Sequence, residues 1–91
     1  MLRLNCFIQV SRTERQEVLE CAERLTAASL LQDGCVAYDI FESATRRDVL
    51  MICETWRDQA ALDAHSASEE FVREVNRMKE LAELKLEIFS F

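Results

Sequence analysis

The chain has 91 residues, 49% of them hydrophobic and 31% charged, which fits one globular domain over residues 1–91 with a limited core. Its net charge of −6 argues against the clustered Lys and Arg that a nucleic-acid backbone or an anionic membrane surface requires. No apolar run approaches a spanning helix, and the start, Met1-Leu2-Arg3-Leu4-Asn5, has no basic segment leading into an apolar one, so the expected compartment is the cytoplasm.

Residues 2–10 alternate: Leu2, Leu4, Cys6, Ile8 and Val10 on one side, Arg3, Asn5, Phe7 and Gln9 on the other. That predicts a half-buried strand. Thr13 and Gln16 have the spacing of a capping box, which predicts a helix from there to about Leu31. Its inward stripe is Val18, Ala22, Leu25 and Ser29, with Leu19. Gly34 ends the segment, where a left-handed residue is least costly.

Residues 35–42 and 49–56 predict two further strands joined by the polar hairpin loop 43–48. Asp58 is placed to cap a short helix over 59–66, and Ser68 another over 69–81 with Phe71, Val75, Met78 and Ala82 inward. Residues 84–91 alternate again. The order β-α-β-β-α-β, with its second helical region broken near Ser68, predicts the α+β ferredoxin-like fold: an antiparallel sheet with helices on one face.

By parity, the helix side carries Val36, Tyr38, Ile40, Leu50, Ile52, Glu54, Trp56, Leu84, Leu86 and Ile88 beside the first strand's apolar set. The opposite side carries Phe7, Phe41, Met51 and Phe89 among polar residues. Such a face is too apolar for water, so a homodimer through it is expected.

Four cysteines, Cys6, Cys21, Cys35 and Cys53, form no CxxC, and the chain has one His. Neither a zinc site nor a disulfide framework is expected; the cysteines read as small buried hydrophobes. Arg12 to Arg15 and Arg46-Arg47 read as solvated surface, with phosphate binding by Arg46-Arg47 as the alternative.

Glu54 is the odd residue: by parity it faces inward, where a lone carboxylate is costly. His65, on the inner side of the short helix, is either a general base or a core histidine satisfied by Glu54 or by backbone. Trp56 either stacks on a flat ligand or closes the core. Tyr38 either hydrogen-bonds a ligand or packs. A Glu54–His65 pair would hold one imidazole tautomer, or serve as a structural ion pair.

The runs Gly34-Cys35-x-x-Tyr38 and Glu54-x-Trp56-x-Asp58-x-x-Ala61-Leu62-x-x-His65, followed by Phe71, resemble the antibiotic biosynthesis monooxygenase family over the whole chain. The resemblance implies a dimeric α+β barrel with a small cavity between helices and sheet. It also implies O₂-dependent oxidation of a small quinol or phenolic aromatic with no metal, flavin or other cofactor. His65 and Glu54 would then be catalytic, and Trp56, Tyr38, Ile52, Cys6 and Phe71 would bind substrate. Members that act on polyketide aromatics carry Asn where this chain has Ile52. Heme-degrading members carry Asn and His where it has Cys6 and Val75, which points away from heme. Alternatives within the resemblance are a non-catalytic small-molecule-binding or stress-protective dimer, and an isomerase of a small phosphorylated metabolite.

Overall fold

The computed structural model describes all of residues 1–91. Its elements are β1 (Leu2–Val10), α1 (Arg15–Ser29), β2 (Cys35–Glu42), β3 (Val49–Trp56), α2 (Gln59–Ser66), α3 (Glu69–Leu81) and β4 (Ala82–Ser90). The strands form one sheet in the order β2-β3-β1-β4, every pair antiparallel. This is the ferredoxin-like α+β arrangement expected from the element order, because each helix returns the chain to a strand one place removed.

Alternation translates into rows that run across the sheet. On the helix side, Tyr38, Glu54, Leu4 and Ile88 form one row, and Ile40, Ile52, Cys6 and Leu86 the next. The core sits above the β3–β1 centre of these rows, where Leu4, Ile8, Leu50, Ile52 and Trp56 meet Val18, Ala22 and Leu25 of α1 and Met78 of α3. Burying Trp56 completely stabilises the fold by roughly 5 kcal/mol, which offsets part of the cost of enclosing polar groups beside it.

Asp58 and Ser68 cap as their positions predict. Asp58 Oδ1 accepts from the Ala61 N–H at 2.9 Å, and the Ser68 hydroxyl accepts from the Phe71 N–H at 3.3 Å. In the hairpin loop, Ser43 Oγ accepts from the N–H groups of Thr45 and Arg46, replacing the turn chemistry that Gly or Pro would supply.

Several expectations are corrected. Thr13 is not the helix cap. The Glu14 N–H bonds Ser11 C=O in a turn that delays the helix to Arg15, so Thr13 meets Ser11 and Gln16 meets Glu20. The helix also stops at Ser29, and successive turns over residues 30–34 follow. Val36 is not on the helix side: a bulge between Cys35 and Ala37 turns it outward and brings Cys35 opposite Trp56 instead. Ala82 belongs to β4, which starts directly after α3. Leu86 and Ile88 do lie on the helix side, yet both are 55% exposed, because the helices leave the β4 edge uncovered.

On the bare side the rows are unequal. Phe41, Met51 and Phe7 stand in one continuous row ending at Lys85. The next row is Asp39, Cys53, Asn5 and Glu87. Phe89 stands in the row beyond, beside Arg3. The apolar surface is therefore divided by a polar row rather than being one patch.

Candidate active site

Tyr38 and Glu54 are side by side because β2 and β3 pair them directly. Trp56 is two residues further along β3 and so on the same face. Its indole N–H donates to Glu54 Oε1 at 2.9 Å in a fully buried bond. Glu54 and Trp56 thus satisfy one another. Burial still pushes the Glu54 carboxyl above its ordinary value, with the indole donation pulling the other way.

His65 descends onto this pair from α2. Only Arg57 and Asp58 separate β3 from the helix, so the inner face of α2 is fixed over the end of the strand. The imidazole is 1% exposed and boxed by three rings: Trp56 at 4.4 Å, Phe71 at 5.0 Å and Tyr38 at 5.6 Å between centroids. Burial among these rings lowers its pKa to about 4, so it is neutral at neutral pH.

The expected Glu54–His65 hydrogen bond is not formed. His65 Nε2 is 3.9 Å from Glu54 Oε1, beyond hydrogen-bond range. The orienting partner is Gln32, whose Oε1 is 2.8 Å from His65 Nδ1. With that oxygen accepting, Nδ1 carries the proton and Nε2 presents a lone pair. Nε2 is buried without any partner.

Gly34 holds Gln32 in place. Its φ of 83° is left-handed, and a Cβ there would collide with Ala61 of α2 and crowd Arg57. The Arg57 N–H donates to Gly34 C=O at 2.8 Å, tying the loop to the start of α2. Only glycine allows this loop to approach the helix so closely.

A cavity of about 230 Å³ lies between the sheet, α2, α3 and β4. Tyr38, Glu54 and His65 form its polar end; Leu4, Cys6, Ile52 and Phe71 are among its apolar walls; Leu86 and Lys79 stand on it where β4 is uncovered. Since a cavity of about 150 Å³ can hold benzene, this one suits a single substituted ring. A larger hollow of about 580 Å³ beside Arg12, Arg15 and Arg47 is lined by charged and polar residues alone.

Six of the seven residues predicted from sequence therefore share one cavity. Trp56 does not touch it; it lies behind His65 and Glu54 as their support. The Cys6 thiol, pushed up to about 11 by burial and the Glu54 charge, is a neutral wall group rather than a nucleophile. Burial, followed by the same Glu54 charge, also raises the Tyr38 phenol, keeping it protonated. No cluster of three or more His, Cys, Asp or Glu side chains is arranged to hold a metal ion.

Sequence reasoning missed Gln32 and Lys79. Nothing in the spacing ties Gln32 to a histidine 33 positions later. Lys79 did have a signal, since Phe71, Val75 and Lys79 follow one another at i+4 along α3.

A family model described as antibiotic biosynthesis monooxygenase matches residues 1–77. A Bacillus subtilis protein named "Putative monooxygenase YcnE" is 31% identical over 88 residues, 97% of this chain and 93% of its own. The crystal structure of a conserved Bacteroides thetaiotaomicron protein of unknown function, described as a "possible oxidoreductase", is 52% identical. It has a TM-score of 0.97 and covers 99% of this chain and 96% of that one. A Deinococcus radiodurans structure, a "putative antibiotic biosynthesis monooxygenase", shares the fold with a TM-score of 0.94 at 19% identity, covering 100% of this chain and 92% of its own.

Proposed function

The chain belongs to the antibiotic biosynthesis monooxygenase family, and from that premise we propose that it is a cofactor-independent monooxygenase of a small quinol or phenolic compound. One observation carries the reading: the unpartnered Nε2 of a fully enclosed, ring-boxed histidine beside the polar end of an apolar cavity. A buried acceptor without a partner is costly, and a ligand hydroxyl would satisfy it.

The chemistry follows from what Nε2 can do. The phenolic O–H donates to Nε2 and the proton passes to it, leaving a phenolate. The phenolate gives one electron to O₂, and the resulting aryloxyl radical and superoxide join in a ring C–O bond. Imidazolium returns its proton to the peroxide, and loss of water leaves a carbonyl. One oxygen atom enters the product and the other leaves as water.

The proton transfer is uphill. A phenol near pKa ~10 facing a base near 4 costs about 8 kcal/mol, while turnover at ~1 s⁻¹ allows a total barrier of about 17 kcal/mol. The transfer is affordable, and the Glu54 carboxyl 3.9 Å from Nε2 is placed to stabilise the imidazolium if it ionises. Glu54 thus acts on charge, with Gln32 setting orientation. Tyr38 stays a hydrogen-bond donor at the polar end, and Ile52, Cys6 and Phe71 exclude water.

We further propose a cytoplasmic homodimer. Four unpaired cysteines fit a reducing compartment. Phe7, Phe41 and Phe89, each 40–50% exposed on the bare side, fit a face covered by a second copy. A second reading, a ligand-binding dimer without turnover, draws on the low His65 pKa: a weak base still makes a good hydrogen-bond acceptor.

O₂ uptake with a model quinol separates the two. His65→Ala should lower uptake at least about 100-fold, as expected for loss of a general base. Uptake unchanged in that variant would remove His65 from the mechanism. Ligand binding by wild type with no uptake from any phenol would favour the binding reading.

A further inference from the structure

We infer that the ligand of this cavity is a phenol carrying a carboxylate, with its hydroxyl at His65 and its carboxylate at Lys79. The inference rests on the cavity being the ligand site, but it concerns binding and does not require turnover. Beside the Cys6 thiol and the Tyr38 phenol, three ionisable side chains line the cavity: Glu54 and His65 at the polar end, and Lys79 from α3. The remaining walls are largely apolar. A ligand that fills the space therefore meets hydrogen-bonding groups at one end and, at the exposed β4 edge, the side chain of a single lysine.

Lys79 has no carboxylate of its own. Arg15, Arg24, Arg57, Arg73 and Arg77 each form an ion pair, while Lys79, like Arg3, Arg12, Arg46, Arg47 and Lys85, forms none; of these six, Lys79 alone stands on the cavity. Its charge is nevertheless felt inside. Burial and Glu54 raise the Cys6 thiol, and Lys79 pulls in the opposite direction. A cation in the last turn of a helix also favours the helix dipole, which would account for Lys79 as stabilisation alone. That role does not place it on the cavity wall.

Glu54 decides the ligand's orientation. An anionic group at the polar end would face its carboxyl, whereas the same group beside Lys79 meets an unpaired ammonium. The overall charge of −6 opposes an anion only over a distance that salt screens within about 10 Å. At contact, the nearest charge dominates.

The test compares hydroquinone with its ring carboxylate, dihydroxybenzoate, binding to the full chain without O₂, by calorimetry and by fluorescence of the single Trp56. Wild type should bind the carboxylate about tenfold more tightly at low salt, with the gap shrinking as salt rises. Lys79→Met should abolish the gap while leaving hydroquinone affinity within about twofold, and Lys79→Arg should retain it. Melting temperatures of both variants report the helix-dipole contribution separately. No preference in wild type, or a preference that survives Lys79→Met, overturns the assignment. Failure of both compounds to bind overturns it together with the cavity reading. Discrimination without O₂ uptake on either compound supports it and removes only the monooxygenase reading.

Discussion

The two faces of the sheet are mismatched to their surroundings in opposite ways. The helix side encloses Glu54, His65 and Tyr38 among apolar groups. The bare side presents Phe7, Phe41 and Phe89 to solvent among polar ones. A buried unpartnered acceptor is relieved by a ligand and an exposed aromatic row by a protein surface, so each mismatch points to a different kind of occupant.

The contrast can be broken first on the bare side, where the largest effect is expected. Phe7→Asp or Phe41→Asp should convert the proposed dimer to monomer in light scattering at micromolar concentration, since each puts a charge into the continuous Phe41–Met51–Phe7 row. Phe89→Asp should weaken assembly less, because the row containing Asp39, Asn5 and Glu87 separates it from the others. Equal effects would mean that the polar row does not divide the interface. A wild-type monomer would remove the dimer.

On the helix side a smaller effect sharpens the account. Gln32→Ala should lower O₂ uptake about tenfold while leaving the melting temperature nearly unchanged, because it frees the imidazole to adopt either tautomer. Gln32→Glu should recover much of the loss, since a carboxylate also accepts from Nδ1–H. A Gln32→Ala variant with O₂ uptake equal to wild type would return the orienting role to Glu54.

Much of this was legible in the sequence, for physical reasons that differ by element. Strict alternation in β1 and β3 set which side chains share a face, and that placed Glu54 inward; its pairing with Tyr38 follows from the β2–β3 register. Asp58 and Ser68 marked helix starts because a short polar side chain just ahead of a helix can accept from its free N–H groups. Parity could not register the bulge at Val36, since one extra residue inverts a face without altering composition. The Thr13–Gln16 spacing matched a cap that a preceding turn pre-empted. The His65 partner was misassigned for a similar reason: Glu54 had a nearer donor in Trp56, and Gln32 arrives through a loop whose path depends on Gly34. Contacts within one element follow from spacing; contacts between elements depend on loop geometry that spacing does not encode.

His65 is the chain's single histidine, so its ring nitrogens can be read by NMR without assignment. Nδ1 should carry the proton and Nε2 stay bare at neutral pH, with no titration until about pH 4, because burial disfavours the imidazolium. The acid limb of the rate profile should accordingly lie near 4 rather than 6.5. Under argon, adding hydroquinone should shift the Nε2 resonance as it accepts the phenolic proton in a hydrogen bond. A histidine that titrates near 6.5, carries its proton on Nε2, and does not respond to the phenol would contradict the site at its centre.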